Sequence, residues 1–121
     1  MNGKNGKTVL VVDDEASMRL LCRVNLELDG HRVLEASSLG RARELVSTEI
    51  PDVVLLDVHV GTDNGPDLID DIESLELPTQ VVLLSGSGQI SPELRAQVAG
   101  VLGKPFDLAE LTAAIASLPV R

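Results

Sequence analysis

Short aliphatic runs alternate along the chain with segments whose apolar residues recur at helical spacing. Four runs of Val and Leu, at residues 9–12, 53–56, 81–84 and 101–102, are typical of strands that are buried on both faces. Residues 31–36 are more mixed, as expected for a strand nearer to the edge of a sheet. The pattern therefore predicts five strands.

A helical signal follows each predicted strand. In the first helix the core-facing positions recur at i, i+3, i+4 and i+8, and Gly30 ends the helix. These positions are Met18, Leu21, Cys22 and Leu26. The other four helices begin near residues that commonly start helices: Ser38, Pro66, Ser91 and Asp107. The last helix presents Leu108, Leu111, Ile115 and Leu118 to the core at helical spacing.

The strict alternation of strand and helix predicts an α/β fold, because right-handed crossovers place parallel strands in one sheet with helices on both faces. We expect a single flavodoxin-like, doubly wound domain: a five-stranded parallel sheet in the order 2-1-3-4-5, with five helices. This domain spans residues 8–121 and follows a flexible polar tail at residues 1–7. In such folds, ligands bind at the carboxyl ends of the central strands.

The composition excludes several classes of protein. The net charge is −9 and Phe106 is the only aromatic residue, so we expect no direct binding of nucleic acid by this chain. Cys22 is the only cysteine, which excludes an intramolecular disulfide and a multi-cysteine zinc site, and its position predicts a buried, inert thiol. Because no apolar run is long enough for a signal peptide or a membrane span, we expect a cytoplasmic protein without membrane contact.

Acidic residues stand at the carboxyl ends of two predicted neighbouring strands. Asp13 and Asp14 follow the first strand, and Asp57 ends the third. Neighbouring strands lie about 4.8 Å apart, so three carboxylates would share one crevice. Their repulsion must be relieved by protonation or by a cation, and Mg²⁺ is the simpler solution at neutral pH.

A hydroxyl and an ammonium join this edge of the predicted sheet. Ser85 ends the fourth strand, and Lys104 follows the fifth. Such a set suits phosphoryl transfer: a carboxylate oxygen of Asp57 attacks phosphorus, while Mg²⁺, the lysine and the hydroxyl neutralise the phosphoryl oxygens.

In these motifs the chain resembles the receiver domains of two-component response regulators. The matching segments are Val-Val-Asp-Asp-Glu at 11–15, Val-Leu-Leu-Asp at 54–57 with Gly65 eight residues later, Leu-Leu-Ser-Gly at 83–86 and Lys-Pro-Phe at 104–106. Each segment stands at a predicted strand end, and the resemblance covers about residues 8–118.

The resemblance implies a role for each acidic residue. Asp57 is the expected phosphoacceptor, and Asp13 and Asp14 are expected to hold Mg²⁺ directly or through water. His59 falls where the family provides a backbone carbonyl to the metal. The phosphoryl group is expected from a histidine of a partner kinase or phosphotransfer protein.

The resemblance also implies the groups that contact the phosphoryl oxygens. Ser85 and Lys104 are expected to bind them, and the Lys104–Pro105 peptide is expected to be cis. His59 and Ser87 stand two residues after Asp57 and Ser85, at positions that flank the attacking water in this family. We therefore expect these two residues to influence the lifetime of the phosphate.

Two features depart from the family pattern. Val101 stands where relatives usually have Tyr or Phe, which predicts that the family's coupling between the hydroxyl residue and this aromatic is absent or altered. The segment between Ser85 and Lys104 is short, which predicts a truncated fourth helix. Receivers often pair through the face that contains this helix, so the resemblance leaves a homodimer open. In this chain, that face departs from the family pattern.

The first helix carries a second apolar stripe, formed by Leu20, Val24 and Leu28 at i, i+4 and i+8. Because receivers dock this helix against helices of the phosphodonor, the resemblance implies that Leu20 and Val24 contact the partner. The alternative is that the stripe packs against the last helix.

Two other functions remain open at this point. A degenerate receiver, acting as a constitutive protein-interaction module, is consistent with Val101 and the short fourth helix. An aspartyl-phosphate phosphohydrolase is less consistent, because such enzymes carry a second acid two residues after the nucleophile, where this chain has His59. The complete set of acids, hydroxyl and lysine favours a phosphoacceptor receiver, which is a signalling switch and not a metabolic enzyme.

Overall fold

Five parallel strands form the central sheet of the computed structural model, which describes residues 6–86 and 90–119. In chain order, the strands of this sheet are β1 (Thr8–Val12), β2 (Arg32–Ala36), β3 (Val53–Asp57), β6 (Gln80–Ser85) and β7 (Gly100–Gly103). Two further short strands, β4 (His59–Val60) and β5 (Asp63–Asn64), lie between β3 and β6 in the chain and outside this sheet. The sheet order is β2-β1-β3-β6-β7, which is the predicted order 2-1-3-4-5 when only the sheet strands are counted. The predicted α/β architecture is therefore confirmed. The sequence did not predict the small antiparallel hairpin formed by β4 and β5.

Within these described ranges, five helices connect the strands of the sheet or follow the last one. They are α1 (Ala16–Leu28), α2 (Leu39–Glu49), α3 (Asp67–Ser74), α4 (Pro92–Ala96) and α5 (Leu108–Ala116). The side chains of Ser38, Ser91 and Asp107 each accept a hydrogen bond from a backbone N–H in the first turn, as the sequence predicted for Ser91 and Asp107. With five residues, α4 confirms the predicted truncation.

Both faces of the sheet are buried under helices, and successive strand residues alternate between the two faces. Val9 and Val11 belong to the layer under α1 and α5, whereas Leu10 and Val12 belong to the layer under α2, α3 and α4. This alternation explains why the strands read as continuous aliphatic runs.

Cys22 lies in the layer under α1 and α5 and is fully buried, as predicted. Burial, followed by the charge of Asp13, raises the pKa of its thiol to about 11, and the opposing charge of Lys104 does not offset this. The thiol is therefore protonated at neutral pH and chemically inert.

Two leucines that the periodicity assigned to the core are exposed. Leu21 precedes the buried Cys22 and is 43% exposed, so α1 buries a narrower stripe than its sequence predicted. Leu108 is exposed at the start of α5, where Leu111 and Ile115 supply the buried contacts. Both errors have one cause: a helix lying on a sheet buries only the side chains that point directly at it.

His31 has a structural role at the start of β2. It is buried, and its Nδ1 accepts a 3.0 Å hydrogen bond from the backbone N–H of Lys7. Burial, and then the positive charge of Lys7, lowers the pKa of His31, with the negative charge of Asp29 opposing the change. Lys7, assigned to the tail from the sequence, is itself buried, so the packed domain includes this residue.

None of the helices within the described ranges combines the length and the hydrophobicity that a membrane crossing requires.

Gly65 lies in close contact with the end of β3. Its N–H donates a 2.7 Å hydrogen bond to the carbonyl oxygen of Val58 and closes the β4–β5 hairpin. A Cβ atom at this position would collide with the carbonyl oxygen of Asp57 and lie 2.9 Å from that of Val58. The backbone of Asp57 and Val58 therefore requires a residue without a side chain at position 65.

We expect Gly65→Ala to lower the free energy of unfolding by about 1–3 kcal/mol, because the backbone of Asp57 and Val58 must move to admit the methyl group. Urea unfolding followed by circular dichroism measures this change. Gly40→Ala is the matched control: it lies in α2 with open space around the new Cβ, so it should raise stability by about 0.5–1 kcal/mol. A Gly65→Ala variant as stable as the unmodified chain would contradict the steric argument.

Candidate functional site

Three carboxylates meet at the carboxyl edge of the sheet. Val12 of β1 is in register with Leu56 of β3, so the acids that come next, Asp13 and Asp57, stand side by side. Asp13, Asp14 and Asp57 each offer a carboxylate oxygen, and these atoms all lie within 4.8 Å of one another. The structure thus brings together the three acids that the sequence assigned to one crevice.

Asp13 is fully buried, although it is an acidic residue. Its backbone N–H donates to the carbonyl oxygen of Ala36 at 3.1 Å. Its Oδ1 accepts from the backbone N–H of Glu15 at 3.0 Å, and its Oδ2 lies 3.4 Å from the Nζ of Lys104. A buried carboxylate needs such partners, since an uncompensated charge in the interior is strongly unfavourable.

Lys104 reaches this crevice from the end of β7. Its Nζ lies 3.1 Å from Oδ2 of Asp57 in addition to its contact with Asp13. Burial opposes the charged form of Lys104, but the hydrogen bond to Asp57 and the charges of Asp13 and Asp57 outweigh burial and raise its pKa above the usual value. Lys104 is therefore a cation throughout the neutral range.

Ser85 and Lys104 are linked through the backbone. Ser85 is buried at the end of β6, and its carbonyl oxygen accepts a 2.8 Å hydrogen bond from the N–H of Lys104. The Lys104–Pro105 peptide is cis, as the resemblance implied. Since Leu84 is in register with Asp57, Ser85 stands one residue beyond Asp57 on the neighbouring strand.

Two residues were expected to influence the lifetime of the phosphate, and the structure describes one of them. His59 lies on β4 with an exposed side chain, outside the three-carboxylate cluster. The prediction that its backbone carbonyl binds a metal stays a prediction. Ser87 lies outside the described residues.

Arg19 also contacts the site, and its role was not predicted from the sequence. It lies in the first two turns of α1, and its Nη1 donates a 2.7 Å hydrogen bond to the carbonyl oxygen of Asp13. Its Nε donates to Oε1 of Glu35 in β2 at 3.2 Å. The sequence signal that could have indicated this contact is the position of Arg19, a basic residue within two helical turns of the acidic pair Asp13 and Asp14.

The donor set of the crevice fits a hard divalent cation. Three carboxylates supply oxygen ligands, and one of them, that of Asp14, is exposed and can turn toward an ion. Lys104 balances part of the negative charge but not all of it. Mg²⁺, which is held by a few carboxylates and keeps several waters, suits this arrangement.

Comparison with known proteins identifies the family. The family model of the response regulator receiver domain matches residues 9–116. The chain therefore belongs to the response-regulator receiver family, whose members are signalling modules of two-component systems and bind Mg²⁺ in an acidic pocket.

Individual relatives agree with this family. The KDP operon transcriptional regulatory protein KdpE of Escherichia coli is 36% identical over 108 residues, which cover 87% of this chain and 48% of that protein. Chemotaxis protein CheY of Thermotoga maritima is 31% identical over 114 residues, covering 91% and 95% of the two chains. The chain thus spans about half the length of the transcriptional regulator KdpE but nearly all of this CheY.

A solved structure shows the same fold. The CheY-like response regulator receiver domain protein of Methanospirillum hungatei aligns with a TM-score of 0.82 and 27% identity, covering 93% of this chain and 92% of that chain.

We expect Asp14→Asn to raise the free energy of unfolding by about 1 kcal/mol in EDTA, because it removes one of three mutually repelling charges and Lys104 contacts only the other two. Urea unfolding in EDTA and low salt measures the change. Glu76→Gln is the control: it alters the net charge equally at an exposed site outside the cluster, and it should stay within about 0.5 kcal/mol of the unmodified chain. Equal effects of the two substitutions would show that general charge, and not the cluster, is responsible.

Proposed function

We propose that this chain is a phosphoacceptor receiver in which Asp57 takes a phosphoryl group from a histidine of a kinase or a phosphotransfer protein, in a Mg²⁺-dependent reaction. One observation carries the proposal. The Asp57 carboxylate has an oxygen within 4.8 Å of oxygens of Asp13 and Asp14, and its Oδ2 lies 3.1 Å from the ammonium of Lys104.

The reaction forms a bond between a carboxylate oxygen of Asp57 and phosphorus and breaks the bond between phosphorus and the donor nitrogen. The electron pair of the broken bond stays with the histidine of the donor. A carboxylate is already a nucleophile, so this step needs no general base. What the pocket must supply is position and compensation for the charge on the phosphoryl oxygens.

The residues around Asp57 would bind the metal ion and contact the phosphoryl oxygens. Asp13 and Asp14 would hold the metal together with the backbone carbonyl of His59, and Mg²⁺, when bound, supplies positive charge to the phosphoryl oxygens. Lys104 would exchange its hydrogen bond with Asp57 for one with a phosphoryl oxygen. The hydroxyl of Ser85, one residue beyond Asp57 on the neighbouring strand, would donate to another.

The helices of the partner would dock against α1 at Leu20 and Val24. Leu20 and Val24 are 55% and 45% exposed, which supports a contact surface and not packing against α5. Since α1 begins two residues after Asp14, a partner on this surface lies next to the phosphoacceptor. The stripe continues to Leu28, 82% exposed, about 12 Å farther along the helix axis from Leu20.

We expect acetyl phosphate or beryllofluoride to change the backbone amide NMR spectrum of the chain only when Mg²⁺ is present. Asp57→Asn should abolish the change because it removes the attacking oxygen. Asp63→Asn, which alters an exposed acid in the nearby hairpin, should keep it.

The same experiment separates the other two functions. A chain that does not respond to either reagent in Mg²⁺ would be a constitutive interaction module. Hydrolysis of an added phosphate ester that Asp57→Asn abolishes would identify a phosphohydrolase.

We expect Leu20→Glu or Val24→Glu to slow transfer from a phosphorylated histidine donor by tenfold or more, because a charge would be buried in an apolar interface. The rate of loss of label from a purified phosphotransfer protein measures this. Leu28→Glu is the matched control at the far end of the same stripe and should transfer at nearly the normal rate. Phosphorylation by acetyl phosphate, which needs no protein partner, should be unchanged in all three variants.

A further inference from the structure

Two neighbouring acids of the site are held in very different ways. Each backbone and carboxylate polar atom of Asp13 has a partner: the carbonyl of Ala36, the N–H of Glu15, the ammonium of Lys104 and the guanidinium of Arg19. Among residues 6–86 and 90–119, the Asp14 carboxylate has no hydrogen-bond or ion-pair partner. The orientation of the Asp14 side chain therefore depends on the backbone that Asp14 shares with Asp13.

Arg19 contacts this shared backbone directly. The carbonyl of Asp13 belongs to the peptide unit that joins Asp13 to Asp14, and Nη1 of Arg19 donates to it at 2.7 Å. The same guanidinium donates through Nε to Glu35 at 3.2 Å, and Glu35 also pairs with Arg23 at 2.9 Å. The side chain of Arg19 is thus tied to the sheet at β2 while it holds the peptide plane that aims Asp14.

We infer that Arg19 is a positioning residue of the metal site: it orients the Asp13–Asp14 peptide so that the Asp14 carboxylate faces the ion. The inference rests on the proposed Mg²⁺-binding function. Partners of this kind, which orient a ligand without touching the metal, commonly change metal affinity by about 10- to 100-fold when they are removed.

The sign of the effect distinguishes positioning from charge. Arg19 is a cation near a cation site, so its electrostatic influence alone would weaken the binding of Mg²⁺, and its removal would strengthen binding. If Arg19 positions Asp14, its removal weakens binding.

The test is a Mg²⁺ titration of the full chain, without any phosphodonor, followed by backbone amide NMR. Arg19→Met keeps the apolar stem of the side chain and removes the guanidinium. We expect it to raise the Mg²⁺ concentration at half-saturation about tenfold. Arg23→Ala is the matched control, because it removes an equal charge and a partner of Glu35 but does not touch Asp13; it should stay within twofold of the unmodified chain.

Each outcome decides the inference. Unchanged or tighter binding by Arg19→Met, with normal binding by the unmodified chain, overturns the role of Arg19 and leaves the proposed function intact. No saturable response in the unmodified chain overturns both. If Arg19→Met does not fold, Arg19→Lys replaces it: a single ammonium cannot hold the Asp13 carbonyl and Glu35 in the geometry of the planar fork, so the same loss of affinity is expected.

Discussion

The ion pairs that Lys104 makes with Asp13 and Asp57 are the interactions on which the site depends. Three carboxylates with oxygens within 4.8 Å of one another repel, and Asp13 is fully buried, so the arrangement requires a cation among them. Lys104 supplies one positive charge, at 3.4 and 3.1 Å from two of the acids. Because one cation does not balance three anions, the crevice stays negative and attracts a divalent ion.

The sheet converts this local requirement into a fixed geometry. Each residue of the site stands at or just after the end of a strand, so its position follows from the register between strands. Both faces of the sheet are covered by aliphatic layers, which resist displacement of one strand against the next. Gly65 adds a second constraint, because its contact with the carbonyl of Asp57 leaves that backbone no room to shift.

Within this frame the site combines a rigid part with an adjustable part. Asp13 is held through its backbone and its carboxylate, and Lys104 bridges Asp13 and Asp57. Asp14 is exposed and depends on its backbone alone for direction. In the proposed function, Asp13 and Lys104 would stay fixed while the exposed carboxylate of Asp14 turns toward the ion. Arg19 limits that freedom by holding the peptide between the two acids.

The sequence predicted the order of the sheet strands and helices, the helix caps at Ser91 and Asp107, and the convergence of the three acids. These features depend on local pattern and on one topological rule, that the carboxyl ends of parallel strands share an edge. The tertiary structure alone decided that Leu21 is exposed, that a hairpin follows Asp57 and that Arg19 joins Asp13 to Glu35. Those features depend on how side chains from separate elements meet in space, and the spacing of residues along the chain does not contain that information.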